Sequence, residues 1–202
     1  MQFFRITQDG FPDKNSGKSK GWYLRIELEN KLKPADLMSG QWINNWDDKT
    51  SGYVDEEADH LDFPFTNNDL HILSPKFKEL MFKIAGDEIQ FLPINIKSAD
   101  RVVGYYYLVN YLKIIDCLDR NLSIYELYTK ENLLFWEKRK YMLGTFFNVR
   151  RVVLDDSKIN NTKIFRLSGF PSVVLIRDDI KSMIEEAKIS GCIFTSTDDL
   201  RL

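Results

Sequence analysis

Two segments of this chain carry the same apolar rhythm, and strands frame each of them. In LSPKFKELMFKIAG, from Leu73 to Gly86, the residues Phe77, Leu80, Met81 and Ile84 fall at i, i+3, i+4 and i+7. That spacing places all four on one face of a helix. Ser74 is positioned to cap the helix, Pro75 suits its first turn, and Gly86 suits its end. In DDIKSMIEEAKISG, from Asp178 to Gly191, the spacing recurs through Ile180, Met183, Ile184 and Ala187, with Asp178 as the expected cap and Gly191 as the stop. A helix with one apolar face must bury it, and neighbouring strands supply the surface. The expected fold class is therefore α+β: a mixed, largely antiparallel sheet with at least two packed amphipathic helices.

The two helical segments also align with each other. Placing Phe77 on Ile180 puts Leu80 on Met183, Met81 on Ile184 and Lys78 on Lys181. An internal strand-helix-strand duplication is one reading. The other is that any amphipathic helix between strands looks this way.

Several strands are legible. WYLRIELE, Trp22 to Glu29, alternates apolar and polar residues with period two. EIQFLPINI, Glu88 to Ile96, reads as a strand with Pro93 near its end or at a bulge. VVGYYYLVNYLKIIDCLD, Val102 to Asp119, is aromatic and β-branched, and is expected to form a long strand bending at Gly104 or Asn110. A short strand is expected over Met1 to Ile6, and further strands over MLGTFFNVRRVVLD, KIFRL, SVVLI and CIFTS, with SKINNT and SGFPS as turns. Between Asn121 and Lys140 two readings stand: a capping box of Ser123 and Glu126 opening a helix through ENLLFWEKRK, or strands through Tyr125 and Tyr128. Asp9 to Gly21 is polar and turn-rich, hence a loop. The expected division is an irregular N-terminal region, 1–69, with a strand and an acidic loop, and an α+β domain, 70–202, the two sharing one core.

The composition narrows the function. Of 202 residues 44% are hydrophobic, enough for a real core, so global disorder is excluded. The net charge of −2 lacks the basic footprint of a nucleic-acid binder. No stretch reaches the roughly 20 apolar residues of a membrane span, and the chain opens on no secretory signal pattern. Cys117 and Cys192 each lie in apolar segments and read as buried small hydrophobes in a reducing cytosol.

Catalytic signatures are absent. GKS at Gly17 to Ser19 lacks the glycine of a phosphate loop, since Pro12 stands five residues before Gly17. His60 sits among Glu57, Asp59 and Asp62, but without a Cys partner, a second spaced His or an EF-hand glycine, so a solvated acidic loop is expected rather than a metal site. His71 reads as structural. Arg166, between Phe165 and Leu167, is expected on the opposite strand face, where it can pair with a carboxylate. No GxSxG elbow is present. No catalytic residue, cofactor or metal is expected.

What remains is recognition. Asp47, Asp48, Asp55, Glu56, Glu57, Asp59 and Asp62 form an acidic run opposed only by Lys49. Such a run can steer a basic partner. Trp42 and Trp46, spaced i, i+4 beside it, read either as a core pair at helical spacing or as interface anchors. The candidate partner-binding residues are therefore Asp55, Glu56, Glu57, Asp59, Asp62, Trp42 and Trp46.

The C-terminal third, RRVVLDDSKINNTKIFRLSGFPSVVLIRDDIKSMIEEAKISGCIF, resembles the ending of an immunity-protein domain family of bacterial polymorphic-toxin systems, the type named after a myxobacterial founder. The LDDSKI turn, the IFRL strand and the helix ending in a glycine before an aromatic strand carry the likeness. LSPKFKELMFKIAGDEIQFLPINI and GYYYLVNYLKIIDCLDRNLS resemble the family's middle, so the likeness covers Leu70 to Phe194. The resemblance implies a cytoplasmic antidote that binds a cognate protein toxin and blocks it. It carries over no catalytic residue. Asp155, Asp156, Phe165, Arg166 and Gly191 match recurrent positions and are expected to hold the fold. Two other classes stay in view: a non-catalytic small-molecule-binding or regulatory module, and a hydrolase built on His60.

Overall fold

The computed structural model describes residues 1–9, 23–29, 32–47, 49–54, 60–99, 101–131 and 143–202. Most of the loop expected from Asp9 to Gly21, the acidic residues Asp55, Glu56, Glu57 and Asp59, and most of ENLLFWEKRK lie outside the described residues.

The longest ladder joins β6 (Ile89–Ser98) to β7 (Arg101–Tyr111), antiparallel from Ile89 opposite Tyr111 to Ser98 opposite Arg101. Alternation sets its faces: Leu92, Ile94, Ile96, Tyr106 and Leu108 are buried on one side. Pro93 sits mid-strand opposite Tyr107, not at an end or bulge. The strand tolerates it because β3 (Ser51–Val54) pairs with β6 only over Asn95 to Lys97. No ladder bond is required of Pro93 on that edge. The register slips beside Gly104, and the strand then pairs on through Asn110 to Tyr111. It breaks at Leu112 and Lys113, after which β8 (Ile114–Ile115) joins a different sheet.

That first sheet has six strands in the order β4-β2-β3-β6-β7-β5, adding β2 (Tyr23–Glu27), β4 (Phe65–Thr66) and β5 (Ile72–Leu73). The second has five, in the order β13-β1-β12-β11-β8. It contains β1 (Phe3–Gln8), β11 (Ile164–Leu167), β12 (Phe170–Arg177) and β13 (Cys192–Ser196). A ribbon of β9 (Ile124–Leu127) and β10 (Phe146–Arg151) stands apart. Parallel pairing is confined to β2 with β4, β3 with β6, and β8 with β11 among the described residues. The sheets are thus mixed and largely antiparallel, as expected.

Helix α1 (Pro75–Ala85) begins where the capping chemistry placed it, with the Phe77 N–H donating to Ser74 Oγ at 3.2 Å. It buries Phe77, Met81 and Ala85. Helix α3 (Asp178–Glu186) buries only Ile180 and Ile184, while Met183 is exposed, so its apolar stripe is narrower than the spacing implied. Nor does Asp178 cap it. Strand β12 runs straight into the helix, the N-cap is Arg177 without a side-chain bond, and Asp178 already lies in the first turn. The helix stops before Gly191, which turns the chain at φ +85° into β13. Helix α1 links β5 to β6, both partners of β7; α3 links β12 to β13, both partners of β1. Each helix therefore crosses between two strands that flank a third.

Local corrections have local causes. In SKINNT one helical turn, α2 (Asp156–Ile159), forms because Asp155 Oδ1 accepts from the Ser157 N–H and hydroxyl. In SGFPS the turn is only Ser168 and Gly169, with Phe170 and Pro171 already in β12. Ser123 caps no helix: its hydroxyl exchanges hydrogen bonds with the Val153 backbone at 3.0 and 3.1 Å, and Glu126 pairs with Arg150. The strand reading holds for Tyr125, in β9.

Three apolar clusters fill the molecule. One, beneath α1 and α3, includes residues of both sheets: Ile6, Val174 and Ile176 meet Leu73, Ile89 and Val109. The second packs Leu37, Met38, Ile43 and Trp46 on the β2-β3-β6-β7 face. The third lies under β10, α2 and the C-terminal Leu200 and Leu202. The carboxylate of buried Glu88 bridges the sheets, accepting from the Lys163 and Ile164 N–H groups at 2.9–3.1 Å.

Candidate partner-binding surface

Trp42 and Trp46 belong to one loop with different fates. The loop is held by two buried amides. Gln90 exchanges hydrogen bonds with the Ile43 backbone at 2.8 and 2.9 Å, and Asn110 donates to the Gln41 carbonyl at 2.7 Å. Trp46 packs on the second cluster and donates its indole N–H to the Pro93 carbonyl at 2.9 Å. Trp42 projects outward, 58% exposed. Rigid anchoring with an exposed indole is the chemistry of an interface anchor.

Asp62 is engaged within the fold. It accepts from the Ser74 hydroxyl at 2.6 Å and from the Ser190 N–H and hydroxyl at 3.1 and 3.2 Å, with the Lys76 ammonium 3.6 Å away. Partial burial works against its charge, but these hydrogen bonds and Lys76 prevail and hold its carboxyl below the ordinary value. Beside it, Tyr106 donates to the Leu61 carbonyl at 3.0 Å. Burial, then the nearby Asp62 charge, pushes the Tyr106 phenol up to about 12. Asp55, Glu56, Glu57 and Asp59 lie outside the described residues.

A surface absent from the sequence reading lies on the other face of the first sheet. The register places Arg25 beside Tyr53, Tyr53 beside Lys97, Asn95 beside Tyr105 and Pro93 beside Tyr107. Helix α1 covers one end of this face, and among the described residues the side chains further along it are half-buried to exposed. Tyr105 is 68% exposed and Tyr23 48%. Cations lie over the rings: Arg25 and Lys97 over Tyr53 at 5.4 and 5.8 Å, and Lys78 over Phe82 and Tyr107 at 5.0 and 5.5 Å. A depression of about 310 Å³ lies among Pro93, Asn95, Tyr105 and Tyr107. Rigid tyrosines with arginine and lysine give large amphipathic contact area at low entropic cost. The run YYY hid this surface, because a strand apolar on both faces does not reveal which side is covered.

The reactive groups elsewhere are quiet. Burial pushes the Cys117 thiol up to about 12 and raises Cys192 further, so neither is a thiolate nucleophile near neutral pH. Among the described residues no group of three or more His, Cys, Asp or Glu could hold a metal ion, and no helix is long and apolar enough to cross a membrane. His71 is buried, edge-on to Phe63 and Tyr111, with Nδ1 2.8 Å from the Tyr111 hydroxyl. Arg166 is fully buried as well, but among the described residues it meets no carboxylate: its guanidinium lies over the Tyr111 ring at 5.0 Å and donates to the Pro171 carbonyl.

No curated protein matches the chain significantly. The model of the Immunity protein family (Imm11) matches residues 9–199, well beyond the stretch from Leu70 to Phe194 on which the likeness was first legible. The chain belongs to this immunity protein family.

Proposed function

We propose that this chain is a cytoplasmic immunity protein that neutralises one cognate toxin by binding it directly, without catalysis, metal or cofactor. Binding occludes the toxin's active site or a surface it needs. Family membership over residues 9–199 carries this reading.

The contact face assigned here comprises Trp42 and the acidic residues Asp55, Glu56, Glu57 and Asp59, with the open tyrosines of β7, on the opposite side of the sheet, as the second candidate face. Two hydrogen bonds support the grouping of the tryptophan loop with the acidic segment: Trp46 to the Pro93 carbonyl ties the loop to β6, and buried Tyr106, on that same side of the sheet, ties Leu61, just after the acidic segment, to β7. In this arrangement Trp42 supplies buried contact area, the carboxylates steer a basic partner, and Trp46 and Asp62 hold the face in shape.

The test is a pull-down from the native host with this protein as bait, followed by mass spectrometry. Recovery of one toxin at near-equal stoichiometry, with rescue of cells that co-express it, is the expected result. An antidote's gene is expected directly beside that of its toxin, and no capture in a host shown to express the product of that neighbouring gene overturns the reading. The alternative, a non-catalytic small-molecule-binding or regulatory module, draws its support from a cavity of about 380 Å³ bordered by both sheets.

A further inference from the structure

Two arginines of this fold hold buried nitrogens with nothing to satisfy them. Arg166 has no exposed surface, and its Nε and Nη2 lack any hydrogen-bond partner among the described residues. Arg5, on β1, has a buried Nε in the same state. Neither forms an ion pair among the described residues. A buried guanidinium without a counter-charge is costly, and natural folds pair such groups or leave them for a ligand.

Arg5 lines one cavity, and Arg166, outside that lining, touches residues next to it. The cavity measures about 380 Å³ and lies where β1, β12 and β13 of one sheet approach β4 and the turn before β5 of the other. Arg5, Thr7, His71, Ser172 and Thr195 line it, with Asp69 exposed on its wall. Arg166 stands behind this lining. Its guanidinium covers Tyr111, whose hydroxyl meets His71, and it grips the carbonyl of Pro171, the residue before Ser172. Burial first, then the charges of Arg166 and Arg5, hold the His71 imidazole well below its ordinary pKa. The walls are thus hydroxyls, the Gln8 amide, one neutral imidazole and the Arg5 guanidinium, with the Asp69 carboxylate on the exposed side and Phe65 and Ile193 as apolar surface.

We propose that this cavity binds a small organic anion through a phosphate or carboxylate group. The Arg5 guanidinium and the hydroxyls of Thr7, Ser172 and Thr195 hold it, and Arg166 supplies buried positive charge behind them. A guanidinium fork matches either oxyanion. A volume near 380 Å³ accommodates more than the anionic group alone, and the apolar wall receives the remainder. The site is independent of the toxin-binding face: its loss leaves that reading intact.

The experiment is thermal denaturation of the full chain at constant ionic strength. Chloride is replaced stepwise by inorganic phosphate in one series and by acetate in another. Saturable stabilisation by at least one oxyanion over chloride is expected, and the series that gives it identifies phosphate or carboxylate as the group recognised. Arg5→Gln should lower that affinity tenfold or more, and Thr7→Val and Thr195→Val several-fold each. Stabilisation no greater than chloride's in both series overturns the proposal, as does wild-type affinity in Arg5→Gln. If Arg5→Gln does not fold, the threonine variants decide: unchanged affinity in both overturns it.

Discussion

The Asp62 carboxylate takes the Ser74 hydroxyl at 2.6 Å, and so the residue that caps α1 is itself held from outside the helix. The same carboxylate receives Ser190, 128 residues further on, in the turn that follows α3. One side chain therefore fastens the start of one helix to the end of the other. Asp62→Ala should cost about 1–3 kcal/mol, the usual worth of hydrogen bonds to a charged acceptor. Because the folded carboxyl titrates below its ordinary 3.8, the unfolded chain takes up the proton first. The contribution is complete above that value and is lost as the pH falls below it. Urea denaturation at pH 7 and pH 3 checks both points: the wild type should lose stability between them by more than the variant does.

Gly191 and Gly144 provide a paired test of backbone strain. Both have positive φ, +85° and +79°. A Cβ at Gly191 would lie 2.5 Å from the Phe63 carbonyl oxygen, whereas at Gly144 it would meet nothing within 4 Å. Gly144→Ala should cost about 1 kcal/mol, from the left-handed conformation alone. Gly191→Ala should cost clearly more, since backbone must move. Equal melting temperatures for the two variants would show that the close approach carries no penalty.

His71 sets a second pH window. Its folded pKa lies well below 6.5, so the unfolded chain binds a proton that the native one refuses. Stability is therefore full above pH 6.5 and falls on acidification below it, by up to about 1.4 kcal/mol per pH unit for one proton. His71→Phe, which leaves the Tyr111 hydroxyl without its partner, should lower stability at pH 7 but flatten its decline from pH 6.5 to 5. A decline as steep as the wild type's would assign the acid sensitivity to other groups.

On the partner side, Trp42→Ala should shift folding stability by no more than about 0.5 kcal/mol, because the indole is exposed, yet cost about 2 kcal/mol or more in toxin affinity. Reversing charge at Asp55, Glu56, Glu57 and Asp59 should slow association and weaken its dependence on salt. Stopped-flow kinetics at two ionic strengths checks this. Unchanged association rates would move the contact to the tyrosine face, where Tyr105→Ala becomes the informative variant.

Much of the fold could be read locally. Ser74, Pro75 and the Phe77–Met81 spacing are short-range signals, and they place α1 to the residue. Arg166 shows where such reading stops. Alternation put it opposite Phe165, but only the pairing of β11 with β12 and the arrival of Tyr111 show that it faces an aromatic ring rather than a carboxylate. The acidic run is a similar case. Composition shows seven carboxylates near one another, yet Asp62 is bound to Ser190 by a contact no local pattern records. The tyrosine face was hidden for the same reason, since its exposure depends on where α1 ends over the sheet.

The passage of β7 into β8 has a consequence for how the molecule comes apart. Only Leu112 and Lys113 separate a strand of the six-stranded sheet from the edge strand of the five-stranded one, and both belong to the hydrogen-bonded run: Leu112 N–H to the Glu88 carbonyl, the Lys113 carbonyl from Arg166 N–H. Neither sheet can open along this seam without pulling covalently on its neighbour. The amides of Val109, Leu112 and Arg166 should accordingly exchange with deuterium at one common slow rate, that of whole-molecule opening, rather than at separate rates for each sheet. Loss of this protein would then proceed in one cooperative step, with no half-open intermediate offered to a protease.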